Sequence, residues 1–408
     1  MTNYIILALC VLILLAYLFD ITSRYTKIPG VILLIGLGIV IQVLVSTTGI
    51  KIPDMQPLLP VIGTVVLVLI VMEASMDLKL GRNKLGLIIK SASAAIFLFA
   101  FFAAIMTFIM VRFLGYPFTE SLLNSIPFGI ISSAVAISSA SQLSQGQKEF
   151  VIYESSLSDI IGILVFDFFL IYGNSIGYGL MSFAFKGVIT IIVAIGMTSA
   201  LALLLHKITY HINYVIILTS AVLVYVLAKL VHLPALLLVM AFGMALANNR
   251  LVENTWIRKY VDFDKFRTDL ISFKRVMIEL TFVVRSFFFI MFGYYSKIDG
   301  LFDLHNVTTA IAIIAGIYLL RILFLKLFLK LPIFPFLFFS PRGLVTILLF
   351  LSVPATFRIS IISEEVITLV ILLTILLMMI GNIFYRKQII PVDEYRGIDE
   401  EVDIVEQN

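Results

Sequence analysis

Tyr153-Glu154-Ser155-Ser156-Leu157-Ser158-Asp159-Ile160-Ile161-Gly162 is the stretch on which the reading of this sequence turns. It sets two carboxylates and three serine hydroxyls inside an apolar run over about residues 149–172, within the roughly 17–25 residues that an α-helix needs to cross the hydrocarbon core of a bilayer. At about 100° per residue, Ser155, Ser158, Asp159 and Gly162 share one helical face, and Glu154 is turned away from Asp159 by about 140°. A charge inside a bilayer costs a few kcal/mol or more, so each such carboxylate is a functional candidate that needs a partner. The offset lets the two acids serve different partners, one to bind a ligand and one to brace the structure.

The chain around this stretch has the same apolar character. Of 408 residues, 61% are hydrophobic and 13% charged, and the mean hydropathy is +1.11. Such a composition belongs in lipid and excludes an ordinary soluble enzyme. Thirteen apolar stretches are predicted as membrane helices, at roughly 4–20, 28–47, 57–76, 88–112, 121–143, 149–172, 182–205, 212–230, 233–248, 270–295, 304–328, 333–352 and 361–385. The N-terminal stretch has no basic leader and no small-residue cleavage site, and reads as a retained helix. The expected fold is an all-α polytopic membrane protein, with a single membrane transport domain over 1–390 and a short cytoplasmic tail over 391–408.

The net charge of +4 reports topology and not a nucleic-acid partner, because the basic residues cluster in alternate loops. Twenty of the 29 Lys and Arg fall in one set of loops and the tail, six in the opposite set, and three, Arg285, Arg321 and Arg342, within predicted spans. By the positive-inside rule the N-terminus lies outside and the C-terminus in the cytoplasm, which agrees with an odd helix number. The one long hydrophilic connector, about 249–270 with Trp256, suits an amphipathic helix at the cytoplasmic interface. The single cysteine, Cys10, excludes an internal disulfide and a thiolate cluster. No G-x-x-x-x-G-K-[ST] loop points to ATP, so a gradient must supply the energy. No H-E-x-x-H points to a metalloprotease, and the four histidines are scattered. No TVGYG-type filter is present. Neither a cofactor nor a resident metal is expected.

Other spans add candidates. The fifth carries Ser132, Ser133, Ser138, Ser139 and Ser141 after Pro127 and Gly129, and such hydroxyl and freed carbonyl oxygens suit Na⁺; the alternative is close helix packing through small residues. In the third span Glu73 lies one turn before Asp77 and is either a second ligand-binding carboxylate or a snorkelling interfacial acid. The twelfth reads Leu331-Pro332-Ile333-Phe334-Pro335, then Ser340-Pro341-Arg342-Gly343, a pattern that breaks a helix about midway. Broken helices mark transporter sites. Arg342 needs an anion, and Glu154 is the expected partner in a structural ion pair. Arg285 either pairs with Glu279 or faces an ion path, and Asp167 either lines an exit pathway or sits near the outer interface.

Glu154-Ser155-Ser156-Leu157-Ser158-Asp159 resembles the E-S-x-x-N-D helix, and Ser340-Pro341-Arg342-Gly343 the x-x-R-G broken helix, of the monovalent cation/proton antiporter superfamily, closest to its electroneutral sodium/proton exchanger branch. Glu73 and the Phe-rich stretch ending at Gly293 also fit. The resemblance implies two inverted repeats with crossed broken helices, core helices at about 88–172 and 304–385, dimerisation helices at about 4–76 and 212–295, a homodimer, and a multi-pass place in the cell (inner) membrane. It implies exchange of Na⁺ or Li⁺ for H⁺ by competition at Asp159, with Ser155, Glu73, Ser158, Ser132 and Ser133 around the ion. Two departures matter. Ser132-Ser133-Ala134 stands where electroneutral members often carry T-D-P, and resembles the related potassium-efflux branch. Ser158 stands where the family has Asn or a second Asp, which leaves one carboxylate and implies electroneutral exchange. A K⁺/H⁺ antiporter, and more distantly an ion channel or organic-anion symporter, are the alternatives.

Overall fold

The structure, a computed structural model, describes residues 2–26, 29–48, 54–77, 85–140, 143–173, 176–207, 213–230, 233–247, 263–296 and 298–384. Among these there is helix and no strand. In lipid every backbone N–H and C=O must find an internal partner, and a helix does this within one segment. The helices are α1 (Thr2–Thr26), α2 (Gly30–Thr48), α3 (Leu59–Asp77), α4 (Leu85–Leu114), α5 (Phe118–Gly129), α6 (Ser133–Ser139), α7 (Gln145–Tyr172) and α8 (Ile176–Lys207). They continue with α9 (Asn213–Leu230), α10 (Ala235–Ala247), α11 (Phe263–Tyr295), α12 (Ile298–Leu301), α13 (Leu304–Phe324), α14 (Ile333–Phe336), α15 (Leu344–Ser352) and α16 (Glu364–Phe384).

The thirteen predicted apolar stretches are mostly helical where described, the fifth and twelfth with non-helical residues inside them. Nine helical segments among the described residues, α5 with α6 counted as one, are long and apolar enough to cross a membrane, and three shorter apolar ones accompany them. Large apolar side chains face outward along whole helices: on α8, Leu180, Met181, Phe185, Val188 and Ile192 are all exposed, as a lipid-facing surface requires. The connector with Trp256 and the tail over 391–408 lie outside the described residues, apart from the connector's C-terminal end, where α11 begins at Phe263.

The chain forms two compact units. Unit 1 comprises Met1–Ile13, Gln42–Lys79 and Ile163–Phe292, and unit 2 comprises Leu14–Ile41, Leu80–Gly162 and the chain from Gly293 onward. In unit 1, α10 packs on α3, α8 and α9. In unit 2, α4 packs on α5, α13 packs on α4 and α16, and α15 packs on α5. Helix α7 passes from unit 2 into unit 1 after Gly162.

Unit 2 contains two interrupted helices in corresponding places, each following a long helix. The fifth predicted span is α5 and α6 separated by extended residues, with Ile130 at φ −84°, ψ 132° and Ser132 at φ −72°, ψ 111°. Pro127 inside α5 supplies no N–H to the ladder, which weakens the helix just before the break. The twelfth span is α14 and α15, separated by residues 337–343, with Pro335 just before the break and Pro341 within it. The two extended segments meet: the Ser132 N–H donates to the Pro341 carbonyl at 2.9 Å, and a Cβ on Gly343 would collide with the Ser132 side chain. Gly343 is therefore needed for close approach and not for an unusual φ.

Candidate functional site

The crossing leaves backbone groups without helical partners, and the site consists of the side chains that satisfy them. Ile131, Ser132 and Ser133 each present an N–H that α5 and α6 cannot use. The first donates to Ser158 Oγ at 3.0 Å, the second to the Pro341 carbonyl at 2.9 Å, and the third to Asp159 Oδ2 at 3.1 Å. On the carbonyl side, Pro127 O accepts from the Thr346 hydroxyl at 3.1 Å and Phe128 O from Arg342 Nε at 2.6 Å. The helix breaks thus persist because buried side chains and the facing Pro341 carbonyl replace the missing ladder.

Asp159 is 3% exposed, and its other oxygen, Oδ1, has no hydrogen-bond partner among the described residues. Leaving a buried acceptor unmade costs about 1–3 kcal/mol, and more for a charged group. A proton or a bound cation on Oδ1 removes that penalty. Ser132, Ser133, Ser155 and Ser158 are all buried with it in unit 2. Ser155 donates its hydroxyl proton back to the Val151 carbonyl at 2.7 Å, so its oxygen lone pairs remain available to a cation. The arrangement offers one acid, hydroxyl oxygens and non-helical backbone, a hard-oxygen environment suited to a small monovalent ion.

The ion pair expected between Glu154 and Arg342 is not the one that forms. Arg321 of α13 grips Glu154 with both terminal nitrogens, Nη1 to Oε1 and Nη2 to Oε2, each at 2.8 Å. The same guanidinium donates to Phe336 O at 2.8 Å and Phe339 O at 3.2 Å, which joins the acid to the end of α14. Arg342 instead caps the crossing. Besides Phe128 O, it donates from Nη1 to its own segment at Ser340 O, 2.8 Å, and its backbone N–H donates to Thr374 Oγ1 at 3.0 Å. The physical reason is backbone demand. Arg342 lies in the extended segment, where carbonyls from α5 need a donor, while the planar fork of Arg321 matches a carboxylate bidentately. A narrow cavity beside these groups is lined by Gly129, Ile131, Ser340, Arg321 and Arg342 together with apolar side chains.

Three further candidates lie in unit 1. Glu73 is half-buried on α3. Arg285 is half-buried on α11 and Glu279 is exposed, and no ion pair joins them among the described residues. Asp167 lies within electrostatic range of Lys229 and Tyr225 of α9, where the Lys229 ammonium sits 5.8 Å from the centre of the Tyr225 ring. Among the described residues no three His, Cys, Asp or Glu side chains come together as a metal site.

The family model described as "Sodium/hydrogen exchanger, transmembrane" matches residues 10–385. Two solved structures of the sodium proton antiporter MjNhaP1 from Methanocaldococcus jannaschii share the fold. One, at pH 8, has TM-score 0.63 and 17% identity, covering 96% of each chain; the other, from electron microscopy, has TM-score 0.65 and 17% identity, covering 100% of this chain and 99% of that one. No curated protein matches the sequence.

Proposed function

Because this chain belongs to the sodium/hydrogen exchanger family, we propose that it exchanges Na⁺ or Li⁺ for protons, electroneutrally, by competition of the two at Asp159. A member of this family is a multi-pass membrane transporter and not an enzyme; the cations are its substrates, and no cofactor is required. The observation that carries the mechanism is the buried Asp159 carboxylate, with one oxygen held by the Ser133 N–H and the other unpartnered among the described residues.

Charge accounting supports a one-for-one exchange. Among the described residues, unit 2 buries two acids, Glu154 and Asp159, and two bases, Arg321 and Arg342. Glu154 and Arg321 form an ion pair, so the group of four is neutral when Asp159 is a free carboxylate. It carries one positive charge when Asp159 holds either a proton or a monovalent cation. The two loaded forms are electrically equivalent, and swapping one for the other moves no net charge. The free carboxylate is the form with the unmade buried contact, which disfavours its passage across the membrane. Ser155, Ser158, Ser132 and Ser133 are the proposed surroundings of the ion. The homodimer, the cell (inner) membrane location, and a division into a transporting part around the crossing and a dimerisation part are further proposals, supported by the family resemblance.

The test is proton flux in proteoliposomes containing a pH dye, with Na⁺, Li⁺ and K⁺ added in turn beside an Asp159→Asn control. Collapse of the pH gradient by Na⁺ or Li⁺ in the native protein alone is the expected result. Competition also fixes the pH dependence. Where the protonated carrier predominates, each unit of added acidity raises the cation concentration for half-maximal flux about tenfold, because one proton displaces one cation. A second reading, K⁺/H⁺ exchange, is favoured by Ser132-Ser133-Ala134, which puts no second carboxylate at the crossing. A response to K⁺ alone would select it.

A further inference from the structure

The extended segment beside Asp159 is held to α7 at three successive places. Ser158 Oγ takes the Ile131 N–H, Asp159 Oδ2 takes the Ser133 N–H, and Gly162, one turn further on, leaves a space that the Ile130 side chain fills. Ile130 is fully buried, and a Cβ on Gly162 would overlap its Cδ1 and Cγ1 atoms. The first two contacts are hydrogen bonds to groups at the ion site, one of them to the carboxylate that must exchange ligands. The third is a steric seat whose shape is the same whichever ligand Asp159 holds.

We propose that Gly162 is a positioning residue that sets the distance of the 130–133 segment from Asp159, and through it the size of cation the site accepts. The inference rests on the reading of Asp159 as the exchange site. A methyl group at 162 meets a side chain enclosed on all sides, and close-packed interiors yield poorly. The relief is a shift of the segment on the order of 1 Å, since overlapping atoms must return to van der Waals separation. That exceeds the tolerance of about 0.2 Å within which ion–ligand distances are normally held. Ile130 is the first residue of the extended segment, so a shift there carries the Ile131 and Ser133 amides and the neighbouring carbonyls with it. Glycine at 162 is therefore required for the closeness of its neighbour, with no demand on its own backbone angles inside a regular helix.

The experiment compares native protein, Gly162→Ala, Ile130→Ala and the double variant in proteoliposomes, recording KM and Vmax separately for Li⁺, Na⁺ and K⁺. Gly162→Ala should raise KM for the preferred cation about tenfold or more and change the ratio of KM values among the three ions, with Vmax within about threefold. The double variant, in which the smaller side chain makes room for the new methyl, should return the ratio toward the native one. A merely structural glycine would lower the amount of folded protein and leave the ratio unchanged in what folds. Native ratios in Gly162→Ala, or a changed ratio that Ile130→Ala does not rescue, would overturn the proposal. If Gly162→Ala does not assemble, Ile130→Ala alone empties the same seat and must alter the ratio; an unaltered ratio again overturns it. Absence of any cation response in the native protein sinks the exchange reading first and this inference with it, and is distinguished by that control.

Discussion

Glu154 and Asp159 are five residues apart on one helix, both buried, and chemically similar, yet their surroundings differ in kind. Both Glu154 oxygens are taken by the Arg321 guanidinium, itself fixed to two further carbonyls. Asp159 has one backbone N–H on one oxygen and nothing among the described residues on the other. Burial alone therefore does not separate the two acids; the deficit in hydrogen bonding does, and it is the ground on which Asp159 is proposed as the exchange site. The saturated acid fastens α7 to α13 and the end of α14, and the unsaturated one retains affinity for a ligand.

The contrast can be broken from either end. The largest effect is expected at the unsaturated acid: Asp159→Asn keeps the shape, removes the exchangeable charge, and should abolish cation-dependent proton flux while the purified protein unfolds at or above the native temperature. Survival of native flux would end the competition mechanism. Next comes Arg321→Met, which leaves Glu154 buried and unpaired and should cost about 3–5 kcal/mol, read as a lower midpoint in thermal or denaturant unfolding in detergent. Replacing both partners, Glu154→Leu with Arg321→Met, should recover most of that loss, since a buried pair exchanged for apolar groups is often close to neutral. A double variant as unstable as the single one would show that the Arg321 contacts to Phe336 and Phe339 dominate. The smallest effect belongs to Ser158→Ala. Loss of one acceptor for the Ile131 N–H should lower stability by about 1–3 kcal/mol. It should also raise the half-saturating cation concentration a few-fold by loosening the segment beside Asp159, with flux at saturation preserved.

How much of this was legible follows from the distance between partners in the chain. The helices were written in uninterrupted apolar lengths, and both breaks in local chemistry, Pro127 and Gly129 in one, Pro335, Pro341 and Gly343 in the other. The shared face of α7 was likewise visible, since Ser155, Ser158, Asp159 and Gly162 recur at helical spacing. Arg321 was visible only as a membrane-embedded arginine. Its bond to Glu154 spans 167 residues of sequence, and nothing local in α13 announces it. Assigning Arg342 to Glu154 matched charges and neglected backbone. An inventory of carbonyls freed by the break after α5 would have pointed to a donor for Phe128 O, the position Arg342 fills. The roles of Thr346 and Thr374 were hidden for the same reason, as hydroxyls in apolar helices ordinarily bond within their own turn.

The hydrogen bond from Ser132 to the Pro341 carbonyl has a consequence for how the protein is made. When α5, α6 and α7 leave the ribosome, the residues that complete them have not been synthesised: Arg321 follows Glu154 by 167 positions and Arg342 follows Phe128 by 214. At about 5–20 residues per second, the nascent chain waits on the order of 10–40 s with an unaccompanied acid and open peptide groups at membrane depth. During that interval neither Glu154 nor the Phe128 carbonyl has the partner it holds in the folded chain. The crossing beside Asp159 is therefore completed only once residues 337–343 have been made, late in the synthesis of the chain.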